Sequence, residues 1–128
     1  MTQTSFSLST IAQIAVPVKD IDRAVAFYRH SLGMTFLFQA PPALAFFDAG
    51  GIRLMLDVPE DKVFAHPSSI IYFKVPDIQA VFTTLQTRGV VFHGAPHPVA
   101  KLGDTVIWMA FFDDTEGNTH AITSEVGD

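Results

Sequence analysis

The chain has 128 residues, a length that fits one compact domain or two half-sized modules sharing a core. Hydrophobic residues make up 48% of the chain and charged residues 16%, which excludes intrinsic disorder. The net charge of -5, without any basic run, disfavours binding to nucleic acid or to an anionic membrane. The absence of cysteine excludes disulfides, thiolate metal clusters and a cysteine nucleophile, and suits a reducing, cytoplasmic compartment.

Residues 1–10 are rich in Ser and Thr, contain no Lys or Arg and have no continuous apolar stretch. They therefore lack both parts of a secretory signal and are predicted to form a flexible leader. Further along the chain, charged residues interrupt every hydrophobic segment before it reaches the ~20 apolar residues that a membrane span needs. We therefore expect no contact with a membrane.

A first module of one helix and four strands is predicted over residues 11–58. An apolar, β-branched run at 11–18 predicts a strand, and Asp20 then precedes apolar residues at helical spacing, with Gly33 after them. Asp20 is expected to cap this helix, and Gly33 to end it in the left-handed conformation. Further strands are predicted at 34–38, around 46–48 and, after a turn at Gly50-Gly51, at 52–57.

The same order of elements returns in a second module over residues 70–125. A strand at 70–75 precedes Asp77 as a helix cap and Gly89 as a helix stop, and strands follow at 90–93, 106–112 and 119–123. The predicted class is α+β: two βαβββ modules, joined by a linker at 59–69, form curved mixed sheets around a cleft with the helices on the outer face. One module could not cover its own sheet, so two must pack together, within one chain or between the subunits of a homodimer.

Two separated motifs carry a family resemblance. They are the segment VKDIDRAVAFY at 18–28, followed by Leu32-Gly33, and the turn FDDTEGN at 112–118. Over about residues 11–125 the sequence resembles the vicinal oxygen chelate superfamily, which includes glyoxalase I, bleomycin-resistance proteins and extradiol dioxygenases. In families of this kind each module supplies inward side chains, commonly His or Gln and Glu, to one divalent metal ion that polarises a substrate oxygen.

The resemblance places four residues of this chain where relatives hold their metal ligands. These residues are Gln13, Met55, Ile70 and Ala121. A thioether is a soft ligand and Ile and Ala have no lone pair, so a hard cation would keep one amide oxygen at best. We therefore expect no metal and no other cofactor. The alternative that stays open is a single divalent metal held by a rebuilt set of Gln13, His66 and His120, although strand alternation directs His120 towards the helices.

Strand alternation predicts a concave side with an apolar floor and polar walls, which is typical of a small-molecule pocket. The predicted ligand-binding residues are Gln13, Arg53, Met55, Ile70, Tyr72, Lys74, His97, Trp108 and Ala121. Trp108 lies in a strand whose side chains are apolar on both faces. Trp108 could therefore belong to the core or to the wall of the pocket. Lys74 is either a solvated group, paired with Asp57 or Glu125, or a desolvated amine that could act as a base.

Segment 93–104 contains Pro96, Pro98 and Gly103, and it is predicted to overhang the cleft as a lid that carries His97. The preferred hypothesis is a glyoxalase-like, metal-free protein that binds a small hydrophobic or aromatic molecule, as a homodimer. Two alternatives stay open. One is a metal-dependent lyase, isomerase or dioxygenase with the rearranged ligand set, and the other is a purely structural module that contacts a partner protein. No catalytic residue is assigned.

Overall fold

The computed structural model describes residues 5–41 and 43–127. The first module consists of β1 (Gln13–Pro17), α1 (Ile21–Ala26), β2 (Thr35–Ala40), β3 (Leu44–Ala49) and β4 (Ile52–Asp57). The second consists of β5 (Tyr72–Lys74), α2 (Ile78–Thr87), β6 (Val91–Phe92), β7 (His97–Leu102), β8 (Thr105–Asp113) and β9 (Thr119–Gly127). A π-helical turn, Phe27–Ser31, extends α1.

The two modules repeat one sheet topology. The first sheet has the order β1-β4-β3-β2, and the second has the order β5-β9-β8, with β6 and β7 both paired to β8. In each sheet the first strand is parallel to the last, and the other pairs are antiparallel. The register is also repeated. Ala15 pairs with Met55 in the first sheet, and Tyr72 pairs with Ala121 at the corresponding position of the second sheet. The predicted α+β fold of duplicated βαβββ units is confirmed.

Both helices begin and end where the sequence predicts. The Asp20 and Asp77 carboxylates accept the backbone N–H of the third residue of α1 and α2, at 3.0 and 3.2 Å. These contacts satisfy donors that have no partner inside a helix. Gly33 and Gly89 follow the two helical segments with φ of +72° and +88°, the left-handed conformation that glycine adopts without steric cost.

A single hydrophobic core lies on the helix-facing side of both sheets. Along each strand, core residues alternate with residues of the opposite side. The core residues include Val16, Leu54, Phe73, Phe112 and Ile122. We call the opposite side of the two sheets the open face. It carries Gln13, Ala15, Arg53, Met55, Tyr72, Lys74, Met109, Phe111, Ala121 and Thr123. The predicted parity of β1, β4, β5 and β9 is therefore confirmed.

The predicted lid at 93–104 is wrong, because half of it is an edge strand. β7 pairs with β8 from His97 opposite Met109 to Leu102 opposite Thr105, and the register shifts between Pro98 and Ala100. A proline can sit at a bulge of an edge strand because its missing N–H is not needed there. β6 and β7 together take the place in the second sheet that β2 takes in the first.

The segments outside the two sheets have little regular structure. Residues 1–4 of the predicted leader lie outside the described residues, and residues 5–10 form no helix or strand and are exposed. The linker contains one 3₁₀ turn, Lys62–Phe64. None of the helices in the described ranges is long and apolar enough to cross a membrane.

Candidate functional site

A cavity of about 610 Å³ lies where the two modules meet. We call it the seam cavity. It is lined by residue 14 and by segments 33–35, 48–50, 52–54 and 71–74, so both modules contribute to it. Its volume is within the range of ~300 to 1,000 Å³ that is usual for small-molecule sites. Much of its wall is apolar, including Ile52, Ile71 and Phe73.

Three of the predicted ligand-binding residues line the seam cavity: Arg53, Tyr72 and Lys74. Gln13 and Met55 lie beside it on the open face. The Gln13 side-chain oxygen accepts the Arg53 Nε–H at 3.3 Å, and its amide nitrogen donates to the Met55 sulfur at 3.5 Å. The predicted polar wall residues Arg53, Tyr72 and Lys74 thus border this cavity, whereas Met55, Ile70 and Ala121, the predicted apolar floor, do not line it.

Two aromatic rings cover Ala121, although it belongs to the open face. Ala121 lies opposite Tyr72 on one side and opposite Phe111 on the other, and the two rings meet edge to face with centroids 6.0 Å apart. Ala121 is consequently fully buried. Sequence reasoning did not select Phe111. The signal that could have identified it is strand alternation: Phe112 faces the core, so its neighbour Phe111 must lie on the opposite side of the sheet.

The remaining predicted site residues do not line the seam cavity. Ile70 precedes β5 and is exposed. His97 lies on the edge strand β7, where its ring centroid is 6.5 Å from that of Phe111. Trp108 has the parity of Ala110 and packs against the core near the start of α2. Trp108 is thus on the helix-facing side of its strand, where it lines a separate cavity of about 390 Å³ beside the start of α2.

The four positions that the family resemblance assigns to metal ligands do not fit a divalent cation. The Gln13 oxygen faces a guanidinium, the Met55 sulfur accepts a hydrogen bond, and Ala121 is covered by aromatic rings. Hard cations need several oxygen ligands, and this set offers one that is already paired with a positive charge. No reaction step can be derived through a metal at these positions.

The rebuilt ligand set is not brought together either. His120 is fully buried on the helix-facing side, where its Nδ1 accepts the Ile71 N–H at 3.2 Å and its Nε2 lies 3.0 Å from the Tyr28 hydroxyl. Gln13 lies on the open face, and His66 is exposed in the linker. Among residues 5–41 and 43–127, no three His, Asp or Glu side chains form a group suited to a metal ion.

Lys74 is a solvated group and not a desolvated base. Its ammonium lies 3.6 Å from the Glu125 carboxylate, and the exposed fraction of its side chain is 77%. The predicted alternative of a pair with Glu125 is therefore confirmed. Asp57, the other predicted partner, forms no such ion pair within the described part of the chain.

The turn at 112–118, which carries part of the family resemblance, joins the two modules. The buried Glu116 carboxylate accepts the backbone N–H groups of Lys19 and Asp20 at 2.8 and 2.9 Å, and the Arg23 Nε–H at 2.7 Å. Burial alone would raise the pKa of Glu116, but these hydrogen bonds and that of Thr115 outweigh it and lower the pKa to about 2.

Asp114, in the same turn, is buried and receives four hydrogen bonds. Its Oδ1 accepts the backbone N–H groups of Glu116 and Asn118, and its Oδ2 accepts the Asn118 amide and the Tyr28 hydroxyl at 2.6 Å. Burial, followed by the charge of Asp114, raises the pKa of Tyr28. Burial also lowers the pKa of His120, because the charged imidazolium would lose its hydration there.

A smaller cavity of about 300 Å³ lies between the end of β1, the linker and this turn. Its polar lining includes Glu116 and Asn118, whose side chains already bind backbone groups of other segments, among them Pro17 and Ser68. These groups hold the modules together. They are therefore less available to a ligand than the polar groups of the seam cavity.

Comparisons with known proteins agree with this architecture. The sequence profile of the Glyoxalase/Bleomycin resistance protein/Dioxygenase superfamily matches residues 10–122. A "Glyoxylase-like domain-containing protein" of Didymella fabae is 30% identical over 132 residues, which cover 91% of this chain and 94% of that protein. The uncharacterized protein YurT of Bacillus subtilis (strain 168) is 30% identical over 84% of this chain and 93% of its own length.

Solved structures share the fold at lower identity. A superfamily member from Sphaerobacter thermophilus DSM 20745 has a TM-score of 0.77 and 21% identity, covering 91% of this chain and 98% of that one. A lactoylglutathione lyase from Agrobacterium tumefaciens has a TM-score of 0.69 and 20% identity, covering 91% and 93% of the two chains. At these identities the likeness establishes the fold and not the chemistry.

Proposed function

The chain belongs to the Glyoxalase/Bleomycin resistance protein/Dioxygenase superfamily, and from this premise we propose that it binds a small hydrophobic or aromatic molecule in the seam cavity. Binding takes place without a metal ion. The observation that carries the proposal is a cavity of about 610 Å³ with apolar walls from both modules. Arg53, Tyr72 and Lys74 line it as polar groups able to orient a ligand.

The metal-free character of the proposal is supported by the donor chemistry of the open face. The position equivalent to Met55 in the second module is Ala121, and neither side chain supplies an oxygen ligand. The apolar wall of the cavity itself, which includes Ile52, Ile71 and Phe73, favours an apolar guest, since burying apolar surface contributes about 25 cal/mol per Å². The alternative of a metal-dependent lyase, isomerase or dioxygenase has no comparable support.

A calorimetric titration with 2-naphthamide, a neutral aromatic amide, tests the proposal. The protein is first dialysed against a chelator, and we expect saturable binding of one 2-naphthamide per chain. Thr35→Trp places a large ring at an exposed position of the cavity wall and should weaken binding at least roughly tenfold. Gln39→Trp is the matched control, because it adds the same ring to an exposed position of β2 outside the cavity.

Two results would contradict the proposal. One is the absence of any binding of 2-naphthamide to the metal-stripped protein, or binding only after a divalent cation is restored. The other is an equal affinity in Thr35→Trp and Gln39→Trp, which would mean that the aromatic amide binds elsewhere.

We also propose that a second copy of the chain covers part of the open face. Phe38 stacks on Phe46 with centroids 4.5 Å apart, yet Phe38 remains 51% exposed, and Tyr72 is 48% exposed. A stable interface buries about 800 Å² of surface on each partner, and exposed aromatic residues supply such area well.

Analytical ultracentrifugation should give the mass of a dimer for the unmodified protein and the mass of a monomer for Phe38→Asp. A monomer at all micromolar concentrations of the unmodified protein would contradict this.

A further inference from the structure

Two positively charged side chains from different modules border the seam cavity. Arg53 belongs to β4 and Lys74 to β5, and both line the cavity wall. The protein as a whole carries a net charge of -5, whereas the lining of this cavity has two cations, Arg53 and Lys74, and one carboxylate, Asp48. A pair of cations beside an apolar wall complements a molecule with an apolar body and an anionic end.

The Arg53 guanidinium is held in place but its charge is not neutralised. Gln13 accepts its Nε–H at 3.3 Å, which fixes the planar group without supplying a negative charge. Asp48 lies opposite Arg53 in the sheet and adds one negative charge to the same lining; its Oδ1 accepts the Gly51 N–H at 3.3 Å. Within residues 5–41 and 43–127, no ion pair joins Arg53 to a carboxylate.

Lys74 supplies a second charge that a ligand can recruit. Its contact with Glu125 is 3.6 Å long and largely exposed to solvent, and such surface pairs contribute little to stability. Exchanging this partner for a ligand anion therefore costs little. The two cations differ in role, since guanidinium binds a planar anion through two parallel hydrogen bonds whereas ammonium acts as a point charge.

We propose that the ligand of the seam cavity is an amphipathic carboxylate, whose anionic group binds Arg53 and Lys74 while its apolar body contacts Ile52, Ile71 and Phe73. This inference rests on the proposed function, because it specifies the chemical class of the molecule bound there. A carboxylate is planar, carries one negative charge and matches the guanidinium fork. The apolar walls supply the affinity, and the two cations select the ligand by its charge.

The test compares 2-naphthoate with 2-naphthamide, which has nearly the same shape but no charge, by calorimetry on the metal-stripped protein. We expect 2-naphthoate to bind roughly tenfold more tightly than the amide. The readout is the ratio of the two affinities within each variant: Arg53→Gln should remove most of this tenfold ratio and Lys74→Gln part of it. Lys62→Gln, which removes an exposed charge from the linker turn, is the matched control and should change neither affinity.

The outcomes separate the two proposals. Equal affinity for the two compounds, or a preference for 2-naphthoate that survives in Arg53→Gln, overturns the carboxylate inference and leaves the apolar site intact. Failure of both compounds to bind the unmodified protein overturns the proposed function together with the inference. Circular dichroism of each variant identifies any loss of fold, and rescue of 2-naphthoate binding in Arg53→Lys to an intermediate affinity would support a charge-based role.

Discussion

The buried polar residues between the modules have one consistent arrangement of protons. The Ile71 N–H can only donate, so the His120 Nδ1 accepts and the proton of the neutral ring is on Nε2. This Nε2–H then donates to the Tyr28 oxygen, and the Tyr28 hydroxyl donates to Asp114 at 2.6 Å. Tyr28, Asp114 and His120 therefore satisfy one another's hydrogen-bonding groups in the interior.

Removing the Tyr28 hydroxyl should destabilise the protein. In Tyr28→Phe the His120 Nε2–H loses its acceptor and the buried Asp114 carboxylate loses one of its donors, at a cost of about 1–3 kcal/mol in the free energy of unfolding. Urea denaturation measures this change. Tyr72→Phe is the matched control on the open face, where we expect less than about 0.5 kcal/mol. Equal effects of the two substitutions would contradict the hydrogen-bond assignment.

The acid stability of the protein should depend on Glu116. Its pKa is about 2 in the folded protein against an ordinary value of 4.5, so the folded state favours the charged form. The resulting stabilisation is fully present above pH 4.5 and is lost as the pH falls towards 2.

Glu116→Gln should therefore lower the free energy of unfolding by about 2–3 kcal/mol at pH 7, and by much less near pH 2. Urea denaturation between pH 2 and pH 7 gives the comparison. Glu60→Gln, at an exposed linker position, should keep the pH profile of the unmodified protein. Curves for Glu116→Gln and the unmodified protein that run parallel over the whole range would exclude this role.

At the scale of elements, local signals determine most of what the sequence predicts. An aspartate before a helix and a glycine after it act within one turn, so Asp20, Gly33, Asp77 and Gly89 could be assigned from their positions alone. Strand parity was also predictable, because alternation reports which side is buried. β7 was not predictable in this way, since Pro98 is acceptable only in the edge position that the sheet gives it.

The helix cap of α2 offers a prediction at this scale. Asp77→Ala removes the acceptor of a backbone N–H in the first turn and should cost about 1 kcal/mol in stability. Gln79→Ala, at an exposed position of the same turn, is the control and should be nearly neutral. Thermal unfolding of both variants would settle the comparison. A loss of stability in Gln79→Ala as large as that in Asp77→Ala would show that the cap is not responsible.

At the scale of the whole molecule, the site depends on how the modules dock. The sequence indicated Arg53, Tyr72 and Lys74 as ligand-binding candidates, and they do line one cavity. It could not show that segments 33–35 and 48–50 complete the wall, because their proximity to β5 follows from tertiary packing between modules. Trp108 illustrates the same limit, since a strand that is apolar at both parities does not reveal its buried side.

The turn at 112–118 connects the two modules. Its Glu116 and Asn118 side chains bind the end of β1 and the start of α1, so they fix the orientation of the first module on the second. This orientation creates the seam between β1 and β5. The residues of this turn therefore maintain the site without contributing to its lining.

Native mass spectrometry of the freshly purified, untagged protein tests the central claim most directly, because it reports subunit number, bound metal and bound organic molecules together. The account predicts a dimer of chains without a stoichiometric divalent ion, which gains the mass of one 2-naphthoate per chain when that compound is added. One zinc, nickel, manganese or iron ion retained per chain, and required for 2-naphthoate to bind, would contradict it.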